Sequence, residues 1–235
     1  MKVKYFLSVL FIVSFSIFAQ NKTKQNSVDD SGWLNHFDVK PENLSTTGVN
    51  TYFILKPGYQ LILKGKEDNQ EVTLTITVLN ETNIVNGYNT RVVEEREEKG
   101  GQLIEVSKNY FAIDNKSKNV YYFGEAVDIY KNGKIEGHPG SWEAGKNTAK
   151  FGLAIPGNIK IGEKYYQEIA PNIAMDRAQI LSDKVVYKTL AGNFISCLKT
   201  EETTPIEPKL REYKIYAPGV GLIKDDTLTL VKYGY

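Results

Sequence analysis

The chain has 235 residues, with 29 Lys and Arg against 28 Asp and Glu, two His and a single Cys. This near balance, without any basic stripe, excludes nucleic-acid binding by counterion release. One Cys excludes an internal disulfide, and His36 and His138 stand too far apart in sequence to begin a zinc site.

The first elements concern export. Lys2 and Lys4 form a short positive n-region, Leu7 to Phe18 an apolar stretch too short to span a bilayer, and Ala19 a small residue at a cleavage position. Residues 1–19 are therefore read as a signal peptide, with Gln20 as the new N-terminus and no membrane span left afterwards. The expected location is the periplasm or the outside of the cell. No Cys follows the signal, which excludes a lipoprotein. Cleavage leaves 27 basic residues against 28 acidic, a net charge of −1. Residues 20–32 are polar and expected to form a flexible leader.

From Trp33 onward the pattern is that of strands. Glu71 to Leu79 alternates, with Val72, Leu74, Ile76 and Val78 on one face and Thr73, Thr75 and Thr77 on the other. Asn86-Gly87, Gly100-Gly101 and Asn132-Gly133 each lie between a pair of strand-like runs and supply the positive φ of tight hairpins. The run Glu94 to Lys99 mixes charges beside a Gly-Gly turn and reads as a solvated hairpin tip. The best helical stretch, Pro171 to Ile180, reads equally well as the start of a strand. Cys197, between apolar neighbours, is expected to be a buried and inert thiol.

The two halves look alike. Gly58 and Gly162 lie 104 residues apart, Gly87 and Gly192 lie 105 apart, and each pair opens comparable runs. The expected organisation is one mainly β domain over 33–235, holding pseudo-repeats at about 51–130 and 157–235. A Gly/Pro-rich loop over 131–156 would join them. The fold class that follows is mainly β: a curved antiparallel sheet or open half-barrel built from two pseudo-repeated meanders.

Three segments carry a resemblance: Val120-Tyr-Tyr-Phe-Gly-Glu125, Gly140-Ser-Trp-Glu-Ala-Gly145 and Tyr213 to Leu222, with Tyr165-Tyr-Gln-Glu168 and Glu201 to Pro208 between them. In this order they resemble a widespread family of exported, β-rich bacterial proteins of unknown function, and the likeness runs from about Asn50 to Ile223. The Phe18-Ala19-Gln20 ending of the signal is similar to that of Bacteroidota proteins. The resemblance implies export and β structure and carries over no catalytic residue. Tyr216-Ala-Pro-Gly-Val-Gly-Leu222 also resembles a segment of envelope proteins built on curved half-barrel sheets.

Ser141 follows Gly140 and lies three residues from His138, but Gly-x-Ser-x-Gly is absent and no orienting acid accompanies them. Calcium would need more oxygen ligands in one loop than Asp114-Asn115 or Asp225-Asp226 offer. No catalytic residue, metal or cofactor is assigned. Carboxylates such as Glu125, Glu143 and Glu168 could converge across the sheet, as glycoside hydrolysis requires. Tyr and Trp side chains in the resembling segments offer faces for sugars or acyl chains. The expected ligand-binding set is Tyr122, Glu125, Trp142, Glu143, Tyr166, Glu168 and Tyr216. The function expected first is a non-enzymatic exported module holding an apolar or glycan ligand on a concave sheet. A carboxylate-dependent hydrolase of envelope or environmental polysaccharide is the second reading, and a structural component of an envelope complex the third. Oligomeric state stays open.

Overall fold

The computed structural model describes residues 27–235; the expected signal peptide and the start of the expected leader lie outside the described residues. The chain is mainly β, as the periodicity implies, with one short 3₁₀ turn at Pro41–Asn43 and no α-helix among the described residues. Accordingly, no helix among them is long and apolar enough to cross a membrane.

Long strands follow one another as antiparallel neighbours. The first series is β1 (Gln60–Glu67), β2 (Gln70–Val85), β3 (Tyr88–Lys99), β4 (Gln102–Asp114) and β5 (Val120–Lys131), against which β6 (Lys150–Ile155) packs. The second is β7 (Lys164–Tyr166), β8 (Arg177–Thr189), β9 (Gly192–Thr203), β10 (Glu212–Ala217), β11 (Gly221–Asp225) and β12 (Leu228–Gly234). Pairing of β12 with β1, from Thr229 opposite Lys64 to Gly234 opposite Gln60, joins the two meanders into one curved sheet. The sheet is not closed into a barrel. At the far side only Lys150 with Ile169 and Phe151 with Glu168 link β6 to the chain just after β7.

Hairpin chemistry accounts for much of this. Asn86-Gly87, Gly100-Gly101 and Asn132-Gly133 all have positive φ at both positions and sit between directly paired residues, as two-residue turns require. Asp68-Asn69 makes a fourth such turn without a glycine, since Asp and Asn tolerate the left-handed region. The turns before β1 and before β7 match: Gly58 N–H donates to Val78 O and Gly162 N–H to Ile180 O, both at 2.8 Å.

The core lies inside the curve. Val72, Leu74 and Val78 of β2 are buried there while Thr73, Thr75 and Thr77 are half-buried on the other face. Cys197 is fully buried opposite Val185, and burial raises its thiol pKa. Where β2 slips its register between Val78 and Thr82, the freed carbonyls of Leu79 and Glu81 accept from the Arg91 guanidinium.

Two stretches differ from expectation. The leader ends early, because Ser27–Val28 pairs with Leu34–His36 around a turn held by Asp29, whose carboxylate accepts from Trp33 N–H at 3.0 Å. About half of the expected joining loop over 131–156 is strand, comprising Lys134–Gly137, Trp142–Glu143 and β6. Glycines admit this packing. A Cβ on Gly152 would stand 2.3 Å from Gln167 O, a distance no side chain survives.

Candidate functional site

The inner faces of the two meanders enclose a chamber of about 280 Å³, at the small end of the range for ligand pockets, about 300–1,000 Å³. Its lining interleaves the apolar Leu61, Ile76, Val78, Phe111, Ala154 and Ile155 with six carboxylates, Glu95, Glu125, Glu168, Asp176, Glu202 and Asp225, Ile76 standing directly across the ladder from Glu95. Lys214 is the one basic side chain among the described lining residues.

A backbone irregularity puts two of the expected residues there together. Tyr122 and Glu125 are three apart, which on a regular strand sends them to opposite faces. The β5–β4 register shifts between Tyr122 and Gly124, so that Tyr122 stands opposite Phe111 and Glu125 opposite Asn109. Both therefore line the chamber. Gly124 allows the shift, since a Cβ there would lie 2.7 Å from Trp142 O. The Tyr122 ring stacks on Phe111 with centroids 4.7 Å apart and planes at 19°, and its hydroxyl donates to Asn109 Oδ1.

From the second meander, Lys214 Nζ reaches Glu202 Oε2 at 3.2 Å and Asp225 Oδ2 at 3.5 Å. Glu202 Oε1 also accepts from Tyr216 Oη, Thr200 Oγ1 and Gln167 Nε2, each at 3.3 Å. Glu202 is thus heavily satisfied. Glu168, 6% exposed, is engaged instead at the back of the chamber wall, where the Trp142 indole N–H and the Asp176 backbone favour its charged form.

Crowding of acids in a desolvated space sets the electrostatics. Burial pushes the Glu95 carboxyl up to about 7, with Asp225, Glu105 and Glu97 adding to the rise and Lys214 opposing it. Burial likewise pushes Glu125 up to about 7, reinforced by Glu95 and Glu105 and opposed by bonds from Ser107 and Tyr122. Glu168 lies well above the carboxylate range, again through burial first and then Asp176 and Glu125. Burial alone would lower the Lys214 ammonium, but Asp225, Glu202, Tyr216 and Glu95 outweigh it and hold its pKa well above the usual value. Each charge-bearing form is destabilised by loss of water and rescued only where an opposite charge stands close.

A second hollow of about 250 Å³ shares Glu95 and Asp225 with the chamber and continues the acidic lining through Glu67, Glu97, Glu105, Glu212 and Asp226. The charge run Glu94 to Lys99 is therefore not a plain solvated tip. Its odd-numbered acids, Glu95 and Glu97, face inward on the side that buried Val93 marks.

Of the seven residues expected to bind ligand, Tyr122, Glu125, Glu168 and Tyr216 line the chamber. Trp142 does not. It is 5% exposed, packs edge-on against Tyr122 at 5.3 Å, and turns its indole N–H toward the Glu168 carboxylate. Glu143 borders another hollow of about 230 Å³, which Glu125 and Trp142 also line, and pairs with Lys146 at 2.8 Å. Tyr166 packs edge-on against Trp33 at 6.2 Å, away from the chamber. Ser141 Oγ accepts from Val127 N–H at 2.9 Å, and His138 Nδ1 lies 3.0 Å from Val127 O and 2.8 Å from Asp128 Oδ1, so an acid does stand beside His138, outside the chamber. Sequence reasoning missed Glu95, Asp176, Glu202, Lys214 and Asp225. Only Glu95 had a local signal, its shared parity with Val93 within β3.

No family model, curated protein or solved structure matches this chain. The family resemblance accordingly rests on its own segments.

Proposed function

We propose that this is an exported binding protein, periplasmic or secreted, that holds a small ligand in the chamber between its two meanders. The observation that carries this reading is the chamber's mixed lining, in which apolar and aromatic side chains alternate with a few convergent polar groups, the composition that grips and orients small molecules. The wholly apolar ligand expected as one option is disfavoured, since it would strip water from six carboxylates without replacing their hydrogen bonds. A glycan or another polar ligand with an apolar face suits both kinds of lining side chain.

The test is native mass spectrometry of small molecules carried through purification of the exported protein, compared with an Ala154→Leu variant that intrudes on the chamber. Retention by the parent protein and loss in the variant, with circular dichroism unchanged, is the expected result. Equal retention by both would place binding elsewhere and overturn the reading.

Hydrolysis by carboxylates is a second reading, favoured by Glu95 and Glu125 both sitting at about 7 within one chamber. It predicts turnover of polysaccharide fragments that Glu125→Gln abolishes. Absence of turnover by the parent protein on such fragments removes it.

A further inference from the structure

We infer that the tip of the β8–β9 hairpin docks on an anionic phospholipid surface. Val186, Leu190 and Ile195 sink among the headgroups, and Lys184 and Lys188 meet the lipid phosphates. Such docking goes beyond the binding reading and does not depend on the chamber.

The first observation is where apolar surface is left in water. Leu190 is 87% exposed, Val186 70% and Ile195 68%. All three belong to one projecting hairpin, because β8 pairs with β7 only as far as Gln179 and β9 with β10 only from Leu198. Beyond those points the two strands are each other's ladder partners. Val186 falls opposite Ile195 and Ser196, between the Val185–Cys197 and Tyr187–Phe194 pairs. Those four residues pack toward the core, which leaves Val186 and Ile195 together on the outer face. Thr189 pairs with Gly192, so Leu190-Ala191 forms the turn. Asp68-Asn69, Asn86-Gly87, Gly100-Gly101, Asn132-Gly133 and Asp226-Thr227 close their hairpins with polar residues or glycine, whereas this turn sets a Leu at its apex. Single apolar residues on a surface need no partner, but a cluster at one projecting tip marks an interaction site.

The second, independent observation is the charge around the tip. Lys188, paired with Asn193, shares the outer face with Val186, and Lys184 is exposed on the other side of Val186. Neither lysine is in an ion pair among the described residues. From Lys184 to Thr200 the chain carries three lysines and no Asp or Glu, in a protein with 28 acids. The acids that bound this segment are engaged elsewhere. Burial and then the charge of Asp183 raise the Tyr52 hydroxyl pKa, which sets Asp183 beside that buried ring, and Glu201 pairs with Arg211 at 2.7 Å. An anionic bilayer answers both features at once. Apolar side chains gain by entering the headgroup–acyl boundary, while long lysine side chains reach back to the phosphates. A second copy of the chain fits less well, since a two-fold contact through this tip sets the same lysine-flanked patch against itself.

The experiment is co-sedimentation of the exported protein with two kinds of vesicle, phosphatidylcholine alone and equal parts phosphatidylcholine and phosphatidylglycerol, at about 0.1 M and about 1 M NaCl. Expected is binding to the mixed vesicles about tenfold tighter than to phosphatidylcholine alone, with most of that difference lost at the higher salt. Leu190→Ser should weaken binding to the mixed vesicles about tenfold, and Lys184→Gln combined with Lys188→Gln should do the same. Ile195→Ser serves as the second apolar variant should Leu190→Ser fail to fold, and exposed Glu136→Gln should change nothing. Absence of binding to either vesicle overturns the assignment, as does equal binding to both. Parent-like binding by Leu190→Ser and Ile195→Ser would mean that the contact lies elsewhere and also overturns it. Self-association without lipid, seen by analytical ultracentrifugation and abolished by Leu190→Ser, would give the tip to a second copy instead.

Discussion

Glu97 on β3 stands directly across the ladder from Glu105 on β4, two acids as cross-strand partners on the same acidic hollow. Burial raises the pKa of both, and for Glu97 the facing Glu105 and Glu67 raise it further while Lys99 opposes. Like charges so placed destabilise a sheet. They persist here beside the chamber, where acids line both spaces.

Replacing Glu97 by Gln should therefore stabilise the protein. The gain is about 0.5–1 kcal/mol at pH 8, where both acids are ionised, and smaller at pH 5. Urea unfolding at the two pH values measures it. A loss of stability at pH 8 would show that the pair is held by bonds the repulsion does not dominate.

A broader pH dependence follows from Glu95 and Glu125. Their folded pKa values, about 7, lie above the value of about 4.3 for an unfolded Glu. A raised folded pKa means the folded state keeps a proton that the unfolded state has lost. The stabilisation is full below about pH 4.3, falls as pH climbs to 7, and is gone above it. Each group accounts for at most about 4 kcal/mol, less where the two share one interaction. The urea midpoint should fall between pH 5 and pH 8, and Glu125→Gln should flatten the slope. A midpoint that rises over that interval contradicts the assignment.

Gly124→Ala should cost about 1–3 kcal/mol, the usual range for forcing atoms into a packed site. The new Cβ meets backbone, Trp142 O at 2.7 Å and Glu143 Cα at 3.0 Å, with no flexible side-chain end to yield. Gly137→Ala, whose Cβ finds only Pro139 Cδ at 3.8 Å, is the near-neutral control. Thermal melting of the two variants compares them.

Trp142→Ala should lower stability by about 3–5 kcal/mol, as truncation of a buried Trp does. For a domain of this size that is roughly a 6–20 °C fall in melting temperature. Trp142→Phe keeps a ring against Tyr122 and removes the N–H that favours the Glu168 carboxylate, so it should cost less than Trp142→Ala. Equal losses in the two variants would mean that the bond to Glu168, rather than the packed ring, carries the stability.

Cys197 should resist thiol reagents in the native protein and react quickly in urea, because burial both shields the thiol and raises its pKa. Rapid labelling without denaturant would indicate that β9 opens locally.

Local chemistry made much of the fold legible in the sequence. Asn86-Gly87, Gly100-Gly101 and Asn132-Gly133 announce their hairpins because positive φ is a property of two residues and their own backbone. The alternation from Val72 to Val78 announces its buried face because side-chain direction repeats every two residues. Successive hairpins without crossover segments then imply antiparallel meanders. The candidate site was legible only in fragments. Tyr122 and Glu125 share a face because the β5 register slips at Gly124, and that slip follows from how closely Trp142–Glu143 packs against it. Glu95 reads as one acid in a solvated run until the curvature of the sheet turns its side inward. Lys214, Glu202 and Asp225 meet the first meander's acids only because β12 pairs with β1, bringing Thr229 opposite Lys64 and Gly234 opposite Gln60. Hairpins and strand faces depend on neighbours in sequence and can be read there. The chamber depends on which strand edges find each other across the whole chain, and that is decided by the burial of both meanders' inner faces together.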